Sequence, residues 1–222
     1  MSAGNCPETP RQKMIGMMYL VLTALLALNV SKEVLTAFVK IDESISRTTL
    51  NFSAKTRSLY AKIDAKAIEQ PGKYTTLAKQ AHDIEKQSNK FFSDIDRLKV
   101  MIKQTGEGPE ATLDSPIKKL DNLDAASITM IGEGGKMMGD SLRMWMENYR
   151  KVILTVVGDT SSSVYKTIDN TLAIVDQLND PAEPKTWQMT FCKGMPMIGT
   201  IALLSKLQAR SEEHTSELQS QR

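Results

Sequence analysis

From Met14 to Ser31, eighteen consecutive residues carry no charge. Coiled as an α-helix at about 1.5 Å per residue they make a rod of about 27 Å, close to the hydrocarbon thickness of a bilayer. Arg11 and Lys13 precede the run, and Lys32 and Glu33 follow it as a mixed pair. Basic residues gather on the cytoplasmic side of a span. The pattern therefore predicts a cytoplasmic segment over 1–13, a transmembrane helix over 14–31 and the bulk of the chain outside. A cleavable export signal has the same outline of basic residues and apolar run. Two details oppose cleavage: no small-x-small site with a helix breaker follows, and "NVSKEVLTAFVKIDESI" continues in helical phase.

The rest of the chain reads as helices. Aromatic residues are 5% of the sequence, and Ala, Lys, Leu, Glu and Met are abundant, which favours an all-α fold. Phe38, Ile45, Phe52 and Leu59 recur every seven residues, as do Leu77, Ile84, Phe91 and Leu98, with Ala81, Ile95 and Ile102 in the companion position. Such repeats predict two rods folded antiparallel about Pro71 and Gly72. Met138, Leu142, Trp145, Tyr149, Val152 and Val156 step by four and three along one buried face. Val164, Ile168, Leu172 and Val175 continue the pattern after a "DTSSS" helix start. Ile198 to Leu207 supply a further helix with Pro196 in its opening turn. Trp187 and Phe191 are expected to plug the end of the bundle.

Few kinds of chemistry survive inspection. With 28 basic and 26 acidic residues interleaved, no basic stripe argues for nucleic acid. Cys6 and Cys192 fall on opposite sides of the expected span and cannot pair. "GEGGKMMGDS" offers Lys136 among glycines, but a phosphate loop requires Ser or Thr after the lysine, and Met137 stands there. His82 and His214 are the only histidines and neither has a set of zinc ligands beside it. No nucleophile and base combine, so neither an enzyme nor a cofactor is expected. A single-pass sensor would need a cytoplasmic output module, for which thirteen residues leave no room; an exported helical protein remains the other alternative.

Thr9, Pro10, Arg11, Gln12, Lys13 and Met14, then Met18, Tyr19 and Leu20, Ala27, Leu28 and Asn29, and Ser31 to Leu35 resemble the amino terminus of the GldM (PorM) family. That family belongs to the gliding-motility and type IX secretion machinery of Bacteroidetes-type bacteria. The resemblance extends more diffusely to "MPMIGTIALLSKLQ". It implies an inner-membrane motor subunit with residues 32–209 as a periplasmic bundle. It also implies a homodimer whose leading helices sit in a pentameric transmembrane ring of GldL. Arg11 would pair with a ring glutamate, and Tyr19 would make a supporting polar contact. The helix would act as a shaft driven by the proton motive force, reaching outer-membrane and periplasmic secretion components through domains beyond this chain. The final "RSEEHTSELQSQR", residues 210–222, interrupts an apolar pattern, and its first eleven residues resemble the translation of a sequencing-adapter oligonucleotide. It is expected to be foreign.

Overall fold

The computed structural model describes residues 9–132, 137–178 and 185–220, without the side chains of 26–31 and 218–220. Six α-helices and one 3-10 helix account for most of these residues, and the described part of the chain contains no strand beyond an isolated bridge between Gln177 and Lys185. The all-α expectation holds.

Helix α1 runs unbroken over Pro10–Glu69, sixty residues, or about 90 Å of rod. Its start is written in "TPRQ". The Thr9 hydroxyl accepts from the Gln12 backbone N–H and the Gln12 side chain accepts from the Thr9 N–H, while Pro10 fits the first turn, where its missing N–H costs nothing. Its end is written in "QPG". Pro71 disfavours the helical region for the residue before it, and Gln70 turns out to φ −134° and ψ 72°. The chain then reverses at once into α2 (Pro71–Glu107).

On α2 the expected seam is correct from Ala81 onward, where Ala81, Ile84, Phe91, Ile95, Leu98 and Ile102 are all buried, while its first member, Leu77, is only half-buried. On α1 the heptad residues Phe38, Ile45, Phe52 and Leu59 are only half-buried, and the fully buried positions are Thr49, Thr56, Tyr60 and Ile63. Thr49 tolerates this because a hydroxyl can return to its own helix, here to the Ile45 carbonyl at 2.9 Å, whereas the Thr56 hydroxyl has no hydrogen-bond partner among the described residues.

Three shorter helices and α6 complete the bundle. Helix α3 (Asp124–Ile131) is capped by the Asn122 side chain, which accepts from the Asp124 and Ala125 N–H groups. Helix α4 (Met138–Val157) buries Leu142, Met146, Tyr149 and Ile153, with Trp145 and Val156 at the margin. Helix α5 (Ser163–Thr171) begins at Ser162, whose hydroxyl accepts from Tyr165 N–H. The expected continuation to Val175 fails: α5 stops at Thr171, and Val175 is 64% exposed. The 3-10 helix Trp187–Phe191 packs its two aromatic rings edge to face, centroids 4.8 Å apart, against the core, the plugging role expected of them.

Helix α6 (Met197–Ser220) runs parallel to α1 and antiparallel to α2. Ser205 meets Asp42, and Gln208 reaches the Phe92 carbonyl at 3.0 Å. Pro196 lies one residue before α6 rather than in its first turn, and its carbonyl accepts from Thr200 N–H. Close approach at the foot of the bundle needs Gly139. A Cβ there would stand 2.8 Å from the Met130 carbonyl oxygen, a backbone atom that cannot move aside.

The expected membrane placement is overturned as well. Among the described residues no helix is long and apolar enough to cross a membrane, so the single-pass inner-membrane placement, with a cytoplasmic amino terminus and periplasmic bulk, is not supported. The apolar run whose side chains are described covers only 14–25, about 18 Å of helix against a core of about 30 Å. The side chains of 26–31 lie outside the described residues, as do Cys6 with the rest of 1–8, Lys136, and 179–184 in the "NDPAEPK" loop.

Candidate functional site

The bundle covers α1 from about Phe38 onward and leaves the preceding turns bare. Met14, Ile15, Met17, Met18, Tyr19, Leu20, Val21, Leu22 and Leu25 are each between 52 and 71% exposed, and they occur on every side of the helix. A contiguous apolar surface larger than a few hundred Å² is rare on a molecule that works alone and marks a place where something else packs.

Arg11 stands in the first turn of this arm. It is exposed, and among the described residues no carboxylate pairs with it. At 100° per residue, Arg11, Ile15, Met18 and Leu22 share one face. Tyr19 lies about 12 Å further along, rotated about 80° from Arg11. The structure therefore puts the two polar groups on one arm and does not bring them together. Thr23, in turn, spends its hydroxyl on the Tyr19 carbonyl of its own helix, which leaves Arg11, Lys13 and Tyr19 as polar groups of the arm turned outward.

Inside the bundle is a polar cluster that sequence reasoning missed. Lys99 is 7% exposed, and its ammonium donates to the Ser205 hydroxyl at 2.7 Å and to the Gln208 amide oxygen. Ser205 donates in turn to Asp42 on α1, and Gln208 donates to Asp96 at 2.7 Å. Burial pushes the Lys99 ammonium below its ordinary range, and the Asp42 and Asp96 carboxylates oppose that shift. Lys103, one turn on, gives its protons to the carbonyls of Thr112, Leu113 and Ser115 and so pins the loop after α2. The cluster ties α1, α2 and α6 in one register. A buried ammonium with acceptors on separate elements is satisfied only when those elements align.

Cys192 is fully buried, and burial pushes its thiol up to about 11, which removes the reactive thiolate. Among the described residues no group of His, Cys, Asp and Glu side chains could hold a metal ion. Helix α6 continues through Arg210 to Ser220. Its buried face there is polar, with Ser211, Thr215 and Ser216 at 0 to 1% exposure and the His214 Nε2 and Ser216 Oγ atoms unpartnered.

A second cluster locks the helical hairpin. His82 on α2 reaches Asp64 on α1 through Nε2 and Glu85 through Nδ1, both at 2.8 Å, and its ring stacks on Tyr60 at 5.5 Å. Both ring nitrogens must carry protons to serve two carboxylates, so Glu85, and after it Asp64, hold the imidazole above its ordinary 6.5. A raised folded-state value means that the stabilisation is fully present below the unfolded value and is lost as pH rises through the folded one. The melting temperature should accordingly fall between about pH 6 and pH 8 more steeply than in His82→Gln. Parallel profiles for the two proteins would contradict the clasp.

The comparison with family models decides the lineage. A model described as the GldM N-terminal domain matches residues 33–218. The chain belongs to the GldM family. Membership makes it a component of the gliding-motility and type IX secretion machinery, in a family of structural rather than catalytic proteins. The GldM match starts at Glu33, so Arg11 and Tyr19 lie ahead of it, and it extends into residues 210–218. A comparison with curated proteins gives no significant match.

Proposed function

We propose that this GldM-family chain is a motor shaft. Two copies of its leading arm insert into a pentameric GldL-type ring, Arg11 pairs with a ring carboxylate, and the continuous α1 carries rotation from the ring into the bundle. The observation that supports this reading is the division of α1: one unbroken helix with an uncovered apolar arm at one end and a packed bundle at the other. An apolar arm requires an apolar host. A guanidinium drawn into that host requires an anion, because stripping water from a lone charge costs several kcal/mol.

Proton flow supplies the drive in this scheme. Protonating the ring carboxylate dissolves its pair with Arg11, and reionisation restores a pair at another position. Two arms cannot satisfy five sites at once, so each proton favours a small turn. One charge crossing about 100 mV delivers about 2.3 kcal/mol, several times thermal energy. Tyr19 supports the seat, since a phenolic hydroxyl buried among ring helices needs a partner.

The stoichiometry tests the scheme. Native mass measurement of the full-length protein purified with its ring should find two copies of this chain for five ring subunits, and an equal number of each would contradict it.

A further inference from the structure

We infer that the tip of the α1–α2 hairpin is a docking surface for an acidic helix of a partner protein. Charge is segregated there. Between residues 55 and 80 stand six basic side chains, Lys55, Arg57, Lys62, Lys66, Lys73 and Lys79, against Asp64 and Glu69. The tip thus carries +4 in a chain whose total is +2, and the remainder is net acidic. None of the five lysines pairs with a carboxylate among the described residues; all five are exposed.

The arrangement selects the kind of partner. Lys55, Lys62 and Lys66 are spaced by seven and four residues, which places them in one row along α1. Across the turn Lys73 joins the row, because Lys66 and Lys73 both lie over the Tyr74 ring, at 5.7 and 5.3 Å. Ile68, 80% exposed, sits at the apex. The tip has its own small core of Tyr60, Ile63, Ala78 and Ala81, apart from the main one, so the row is presented on a fixed scaffold. A straight row of ammoniums beside one apolar residue and an aromatic ring matches the ridge of a helix bearing glutamates at the same spacing. A lipid surface would call for more than one apolar side chain to enter it.

The test uses the intact protein and defined probes: a helical alanine-based peptide with glutamates at the spacing of the lysine row, the same peptide with glutamines, and phosphatidylglycerol vesicles. The glutamate peptide should bind, the glutamine peptide should not, and added salt should weaken binding. Replacing Lys55, Lys62, Lys66 and Lys73 with Gln should weaken binding at least about tenfold, whereas replacing Lys90, Lys151, Lys166 and Lys206 with Gln, at the same net charge, should change it less than about twofold. No peptide binding, equal losses in the two variants, or binding to vesicles alone would overturn the proposal.

Discussion

In the full-length protein, Arg11→Ala is expected to stop gliding and type IX secretion while the protein accumulates at its normal level and its bundle melts unchanged. The bundle is indifferent because, among the described side chains, the nearest fully buried residue of α1 to Arg11 is Thr49. In the proposed scheme the function is sensitive because the variant would strand a ring carboxylate in an apolar host. Breaking such a pair from one side costs about 3–5 kcal/mol, enough to lower a driven step by a factor of hundreds. Arg11→Lys restores little, since a compact ammonium does not reproduce the two-pronged geometry of the guanidinium. Secretion of a reporter cargo, measured beside the cellular level of the variant, checks both. Wild-type secretion by Arg11→Ala would remove the residue from the mechanism.

How far the sequence could be read depended on whether burial was set locally. The row Ile84, Phe91, Leu98 was legible because large apolar residues at heptad spacing coincide with the face that is covered. On α1 the same spacing picked out Phe38, Ile45, Phe52 and Leu59, yet the covered line runs through Thr49, Thr56 and Ile63. Polar residues in a seam hide it from a search for apolar ones. Lys99 and Lys103, four apart in "RLKVMIKQ", look like a solvated face. Their burial comes from α6 and the loop after α2, more than a hundred and about ten residues away along the chain respectively, and no local pattern records that.

Other features were present in the letters and overlooked. Thr9 and Gln12 spell a capping box, and Asn122 two residues before Asp124 marks the start of α3. The arm was half legible. Its apolar character and the outward Arg11 and Tyr19 follow from the sequence, whereas the extent of an apolar helix able to cross a bilayer did not hold over the described residues. We propose that residues 210–222 are foreign to the native chain. Unpartnered buried polar atoms occur there at His214 and Ser216, and outside that segment at Thr56, Arg150 and Thr186.

A rigid connection between arm and bundle is the claim on which the shaft rests, and it can be cut. Thr36 and Ala37 are exposed, between the arm and the buried part of α1. A short Gly-Ser linker inserted between them leaves both ends folded but breaks the rod, since a glycine-rich chain has the stiffness of a random coil. A helix-forming insert of about seven residues adds two turns and returns the bundle within about 20° of its original phase. Secretion is the measurement. The account predicts at least a tenfold loss with the flexible insert and activity within a few-fold of wild type with the helical one, the bundle's melting temperature being equal in both. Full secretion with the flexible insert would show that no torque passes through α1.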